Sequence, residues 1–154
     1  MTEHSGSLLH PLLHAGHLVE ARLRVRLKHV GLRPRQARVL SALNRIGETH
    51  QKTLATEFDI TPASMSSMCN RLSDAGFIER HIDPNEKRAF LIRLTPKGKN
   101  KVQDVLMALD DIDEVIKEAM GREAANSLTA LSSKLRNQLG GRSPSFIMEE
   151  KHDA

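Results

Sequence analysis

Apolar positions recur with a helical period at both ends of the chain, and the pattern shortens in the middle. From about Ser7 to His29, the residues Leu9, Leu12, Leu13, Gly16, Val19, Leu23 and Leu27 fall at helical spacing, with Val30 just beyond. Gly31 is a helix stop, and Pro11 fits best in a first turn, so the regular helix is expected to begin near His10. A second helix is predicted from Pro34, with Ala37, Val39, Leu40 and Leu43 inward and Gly47 as its end. Gln51 is the expected cap of a short third helix holding Leu54, Ala55 and Phe58.

Asp59-Ile60-Thr61 then reads as a tight turn, with Thr61 as N-cap and Pro62 as the first residue of a fourth helix. Met65, Met68, Cys69 and Leu72 form its apolar face, while Ser64, Ser66, Ser67, Asn70 and Arg71 lie mostly opposite. Gly76 closes it. Two short helices joined by such a turn, the second with a small-polar and arginine face, make a helix-turn-helix pattern. Residues 77–82 and 90–94 are candidate strands around the turn Asp83-Pro84-Asn85-Glu86-Lys87-Arg88, a hairpin in the position of a wing. Thr95-Pro96 opens a further helix with Val102, Val105, Leu106, Leu109, Ile112 and Ile116 inward, which Gly121 breaks. A last helix carries Ala124, Leu128, Leu131, Leu135 and Leu139 and stops at Gly140-Gly141. Residues 141–154 are expected to form a flexible tail with Phe146, Ile147 and Met148 as a docking spot.

Composition narrows the function. With 39% hydrophobic and 27% charged residues, the 154-residue chain has an ordinary globular balance. It has no Trp or Tyr, so it lacks the stacking platforms of single-strand binders. One cysteine, Cys69, precludes an intramolecular disulfide and a multi-thiolate zinc site. The net charge is +4, and its placement matters more than its size. Arg33, Arg35, Arg38, Arg45, Lys52, Arg71, Arg80, Lys87, Arg88, Arg93, Lys97, Lys99 and Lys101 crowd the middle of the chain, whereas Asp104, Asp110, Asp111, Asp113, Glu114, Glu118 and Glu123 crowd the following helix. No phosphate-cradling glycine loop, HExxH, CxxC or Gly-x-Ser-x-Gly motif is present, so an enzyme is not expected, and no cofactor is implied. Without a long apolar run or a leader pattern, the cytoplasm is the expected compartment, with no membrane partner.

The ordered series Gln36-x-x-Val39-Leu40, Leu54-Ala55, Met65 through Arg71-Leu72, Ala75-Gly76-Phe77-Ile78-Glu79-Arg80, Asp83 through Arg88, and Leu94-Thr95-Pro96-Lys97-Gly98 resembles the MarR family of bacterial regulators from roughly Leu8 to Leu139. Three positions depart from the family pattern: Glu86 stands where Asp is usual, Ser67 where a long polar residue is common, and Arg33 where Ser or Thr often opens the second helix. The resemblance implies a mainly α winged helix-turn-helix fold with a small β-hairpin wing. It implies a homodimer formed by the terminal helices, and an effector pocket between those helices and the DNA-binding unit, often for small aromatic acids. The implied organisation is residues 1–32 and 99–140 for dimerisation, 33–98 for DNA binding and 141–154 as tail. The apolar stripes of the terminal helices agree, since they carry more apolar surface than one small winged domain would bury. The alternative is that they fold back on their own domain.

The resulting candidate partner is a pseudo-palindromic double-stranded operator with half-sites roughly one helical turn apart, and the expected role is repression released by a small molecule. Thr61, Ala63, Ser64, Ser66, Ser67, Asn70 and Arg71 are the candidate contacts of the recognition helix: hydroxyls both donate and accept, and an arginine reaches phosphate or guanine. Lys87 and Arg88 are the candidate wing contacts, with Asp83 or Glu86 orienting Arg88 for the minor groove. The bland readings are an Arg71 paired with Asp74 and a solvated turn at 87–88. His10, His14 and His17 share one helical face and are candidate ligand-binding residues, set against a partly exposed polar face; no metal site is assigned. Cys69 on the apolar face reads as packing rather than a redox sensor. A winged-helix protein-interaction module and a metal-responsive regulator using the histidines are the alternatives.

Overall fold

The computed structural model describes residues 7–141; the expected tail, with Phe146, Ile147 and Met148, lies outside them. Six helices and three strands follow one another as α1 (Leu9–Leu27), α2 (Pro34–Ile46), β1 (Thr49–His50), α3 (Gln51–Glu57), α4 (Pro62–Asp74), β2 (Ile78–Ile82), β3 (Phe90–Leu94), α5 (Pro96–Met120) and α6 (Arg122–Gln138). The helices start where local chemistry seals their free amides. Thr61 Oγ1 accepts from Ser64 N–H at 3.1 Å, and Thr95 Oγ1 accepts from Gly98 N–H at 2.9 Å, each with proline next in the chain. At α2, where Arg33 offers no acceptor, Gln36 Oε1 takes the Arg33 N–H at 2.9 Å. Helix α1 starts at Leu9, so Pro11 stands in its first turn as expected.

The wing hairpin is wider than the sequence suggested. The sheet is antiparallel in the order β1-β3-β2, because Thr49 and His50 pair with Ile92 and Leu91 on the far side of β3. Gln51 is therefore not a cap: His50 holds the N-cap position in extended conformation, and Gln51 is the first helical residue. On the other edge, Glu79 faces Arg93 across β2 and β3, and Arg93 donates to Glu79 Oε2 at 2.8 and 2.9 Å.

The core lies where α2, α3 and α4 meet the sheet and the first half of α5. Leu27, Val39, Leu40, Leu54, Met65, Ile92, Val102 and Val105 are fully buried there. Burial of eight such side chains, at about 1.5–3 kcal/mol each, dominates what holds the winged unit together. The terminal helices differ. Only Leu23 and Leu27 of α1 are buried, and in α6 only Ala125. Leu9, Leu12, Leu13, Leu128, Leu131, Leu135 and Leu139 are all exposed, so these helices do not fold back to cover their own apolar stripes. No described helix is long and apolar enough to cross a membrane.

Candidate nucleic-acid interface

Helix α4 is held by Met65, Cys69 and Leu72, which are buried, and so presents Ala63, Ser64, Ser67, Asn70 and Arg71 outward. The turn before it tightens through Asp59, whose φ of 48° is a left-handed conformation that aspartate tolerates better than most residues. Ala63, Ser64, Ser67 and Arg71 line one groove of about 850 Å³ together with Arg24, Arg33 and Arg35. Their guanidinium groups give the exposed face of α4 a positive surround, suited to a polyanion. Arg71 is free of the Asp74 pairing considered above: no such ion pair occurs among the described residues.

Two of the sequence-predicted residues have local work, and a third is turned aside. Thr61 caps the helix and also donates its hydroxyl proton to Ser64 Oγ at 2.9 Å, which leaves the Ser64 proton for an outside acceptor. Ser66 is half-buried, off the outward face. Asn70 is exposed, yet its Oδ1 accepts from the Arg80 guanidinium of β2. Arg80 also stacks over the Phe90 ring at 4.8 Å, so one side chain ties the outward face of α4 to both strands of the wing.

At the wing, the expected pairing of Arg88 is not seen. Asp83 turns inward: its Oδ1 accepts from Asn85 N–H at 2.8 Å, and its Oδ2 lies 2.6 Å from His50 Nε2. The Asn85 amide, then the His50 ring, hold the Asp83 carboxyl below its ordinary range. Asp83 thus builds the wing root rather than orienting Arg88, and Glu86 forms no ion pair with Arg88 either. Glu86, Lys87 and Arg88 are exposed, and Arg88 borders a concavity shared with Lys52 and Pro62, beside the start of α4. Arg88 of the wing thus lies beside the amino-terminal end of α4.

His10, His14 and His17 are exposed along α1, and the two former rings lie 5.8 Å apart. None lines the groove at α4, and the described residues contain no group of three or more His, Cys, Asp or Glu placed to hold a metal. Cys69 is fully buried, and burial pushes its thiol up to about 11 against a smaller downward pull from Arg80. Such a thiol is protonated at neutral pH and a poor nucleophile.

The MarR family model matches residues 30–89, from the end of α1 to the wing. The crystal structure of transcriptional regulator PA4135 superimposes with a TM-score of 0.78 at 28% identity, over 86% of this chain and 97% of that one. Residues 30–89 thus resemble the MarR family, and the fold of a transcriptional regulator extends over most of the chain. Its sequence is also 34% identical over 65 residues to the HTH-type transcriptional regulator BilQ of Clostridioides difficile, a stretch of 42% of this chain and 44% of BilQ; this chain thus spans less than half of that relative's length. The transcriptional repressor CouR, solved on a 23-mer DNA duplex, shares the winged-helix fold with a TM-score of 0.80 at 22% identity, over 84% of this chain and 92% of CouR.

The residues that sequence reasoning overlooked are those acting between elements. Arg80 was visible as a central cation and as part of the family series but not as the partner of Asn70, and His50 carried no signal as the partner of Asp83, 33 positions away. Arg33, noted as charge and as the residue opening the second helix, and Arg35, noted as charge, stand at the start of α2 and share a groove with Arg71.

Proposed function

We propose that this chain is a MarR-family transcription regulator, a cytoplasmic homodimer that recognises a pseudo-palindromic double-stranded operator and represses transcription until a small-molecule effector releases it. One observation carries the reading: the outward residues Ser64, Ser67 and Arg71 share an arginine-lined groove, and the exposed cations Lys87 and Arg88 extend from the same unit. An α-helix of this kind enters a major groove with its amino-terminal half toward the bases, while arginine at a wing tip suits the narrower minor groove. Ala63, Ser64, Ser67 and Arg71 are the proposed major-groove contacts, with Thr61 and Ser66 in supporting places, Asn70 shared with the wing, and Lys87 and Arg88 as the wing contacts.

Support for the dimer comes from the exposed leucines of α1 and α6, which a second copy would cover in an isologous interface. On that reading residues 1–32 and 99–140 dimerise, and 33–98 bind DNA. An effector can shift such a dimer only by its differential affinity for the DNA-binding and released geometries. Selection of bound fragments from a random duplex library tests the proposal. Enrichment of an inverted repeat with half-sites about one helical turn apart is expected; a library that emerges without a shared motif refutes sequence-specific recognition.

A further inference from the structure

Helix α4 exposes Ala63, Ser67, Asn70 and Arg71, which at helical spacing form one outward stripe. Of these, Asn70 is the residue whose chemistry the wing alters, because its Oδ1 accepts from the Arg80 guanidinium of β2. The partner settles the orientation of the amide. A guanidinium carries N–H donors and no acceptor, so the Asn70 oxygen must face it and the nitrogen is left for something else. Arg80 is held in that place. It is half-buried, its backbone pairs with Ile92 in the sheet, and its guanidinium lies over the Phe90 ring at 4.8 Å. Among the described residues no carboxylate forms an ion pair with it, so its charge stays beside the Asn70 oxygen.

An unengaged asparagine in a major groove reads adenine: its oxygen accepts from the N6 amino group while its nitrogen donates to N7. Asn70 is engaged. An adenine amino group would have to donate to an oxygen already bound to a cation, with the other N–H groups of Arg80 close by. What Asn70 offers outward is Nδ2 with its protons. Guanine is the base whose own major-groove edge presents neighbouring acceptors, N7 and O6, and no donor. We propose that Arg80 is a positioning residue that makes Asn70 a donor-only contact, so that Asn70 reads guanine rather than adenine. An aspartate at position 70 would hold Arg80 at least as well but would have no proton to give, so the tie by itself does not call for an amide. The proposal rests on the operator recognition proposed above and adds the base that one of its contacts selects.

The test is parallel selection from a random duplex library by the full chain as wild type, Asn70→Asp and Arg80→Met. Anisotropy then compares duplexes carrying guanine or adenine at the affected position. The wild type is expected to enrich a motif with a guanine in each half-site that it prefers over adenine by about tenfold or more. Asn70→Asp keeps an acceptor for Arg80 and removes the donor, so the preference for that guanine is expected to vanish while the other positions persist. Arg80→Met keeps an apolar stem over Phe90 and frees Oδ1, so adenine should then match or exceed guanine there. A merely structural tie leaves the preferred base unchanged in both variants, and that result overturns the inference. So does a wild type that selects adenine at the position sensitive to Asn70→Asp. If Arg80→Met does not fold, Asn70→Asp decides alone: loss of the guanine supports the inference, and an unaltered motif overturns it while leaving the regulator reading intact. A wild type that enriches no motif removes the regulator reading, and this inference with it.

Discussion

Gly98→Ala probes the joint between the recognition helix and the long α5. A Cβ at position 98 would lie 1.9 Å from the Phe77 carbonyl oxygen and 2.9 Å from its carbonyl carbon. Close C···O contacts run about 3.3–3.6 Å, so the two backbones must part by roughly 1.4 Å. Neither can yield cheaply. Phe77 O accepts from Thr95 N–H at 3.0 Å, the Thr95 hydroxyl donates to Gly76 O at 2.6 Å, and Gly76 has a φ of 80° that favours glycine. Overpacking of this kind costs about 1–3 kcal/mol, and alanine returns less than about 1 kcal/mol of helix propensity in a first turn. The net loss of about 1–2 kcal/mol corresponds to a Tm lower by roughly 2–8 °C for a chain of this size. Thermal unfolding followed by circular dichroism measures it, with Gly16→Ala as control, since nothing lies within 4 Å of a Cβ there. A Gly98→Ala protein as stable as the control refutes the reasoning.

Other consequences can be checked on the same material. Asn70→Ala and Arg80→Ala should each weaken operator binding, and together by clearly less than the sum, because both break one α4–β2 tie; additive losses in a double-mutant cycle would separate them. Arg88→Ala should lose about 1–3 kcal/mol of operator affinity by fluorescence anisotropy if it makes a groove contact, and unchanged affinity removes it from the site. Asp83 has a depressed carboxyl, so the stability it adds is present above the unfolded value near 3.9 and disappears on acidification. The gap between wild type and Asp83→Asn in urea melts should therefore be widest at neutral pH and close toward pH 3; a constant gap contradicts the pairing. Cys69, with its thiol raised to about 11, should resist a thiol reagent in the native protein and react on unfolding.

The fold was legible where the governing chemistry is local. Thr61-Pro62 and Thr95-Pro96 announce helix starts within three residues of the amides they seal, and Gly76 closes α4 as its spacing implied. Strand β1 was not legible, because two residues carry no period and become a strand only when β3 lies alongside. The same event displaced Gln51 from the cap. The leucines read along α6 form an exposed stripe, and its buried residue, Ala125, falls outside that series. The site divides in the same way. The outward face of α4 follows from helical geometry, but the ties of Asp83 to His50 and of Asn70 to Arg80 join residues that only tertiary packing brings together.

The most direct test of the account is fluorescence anisotropy of the purified protein on duplex DNA from upstream of its own gene, with scrambled duplex as competitor and a salt series. Recognition through α4 and the wing predicts saturable binding that survives the competitor and weakens steeply with salt as phosphate contacts are screened. Equal, weak binding to both duplexes, or affinity unchanged by Arg71→Ala, would contradict it.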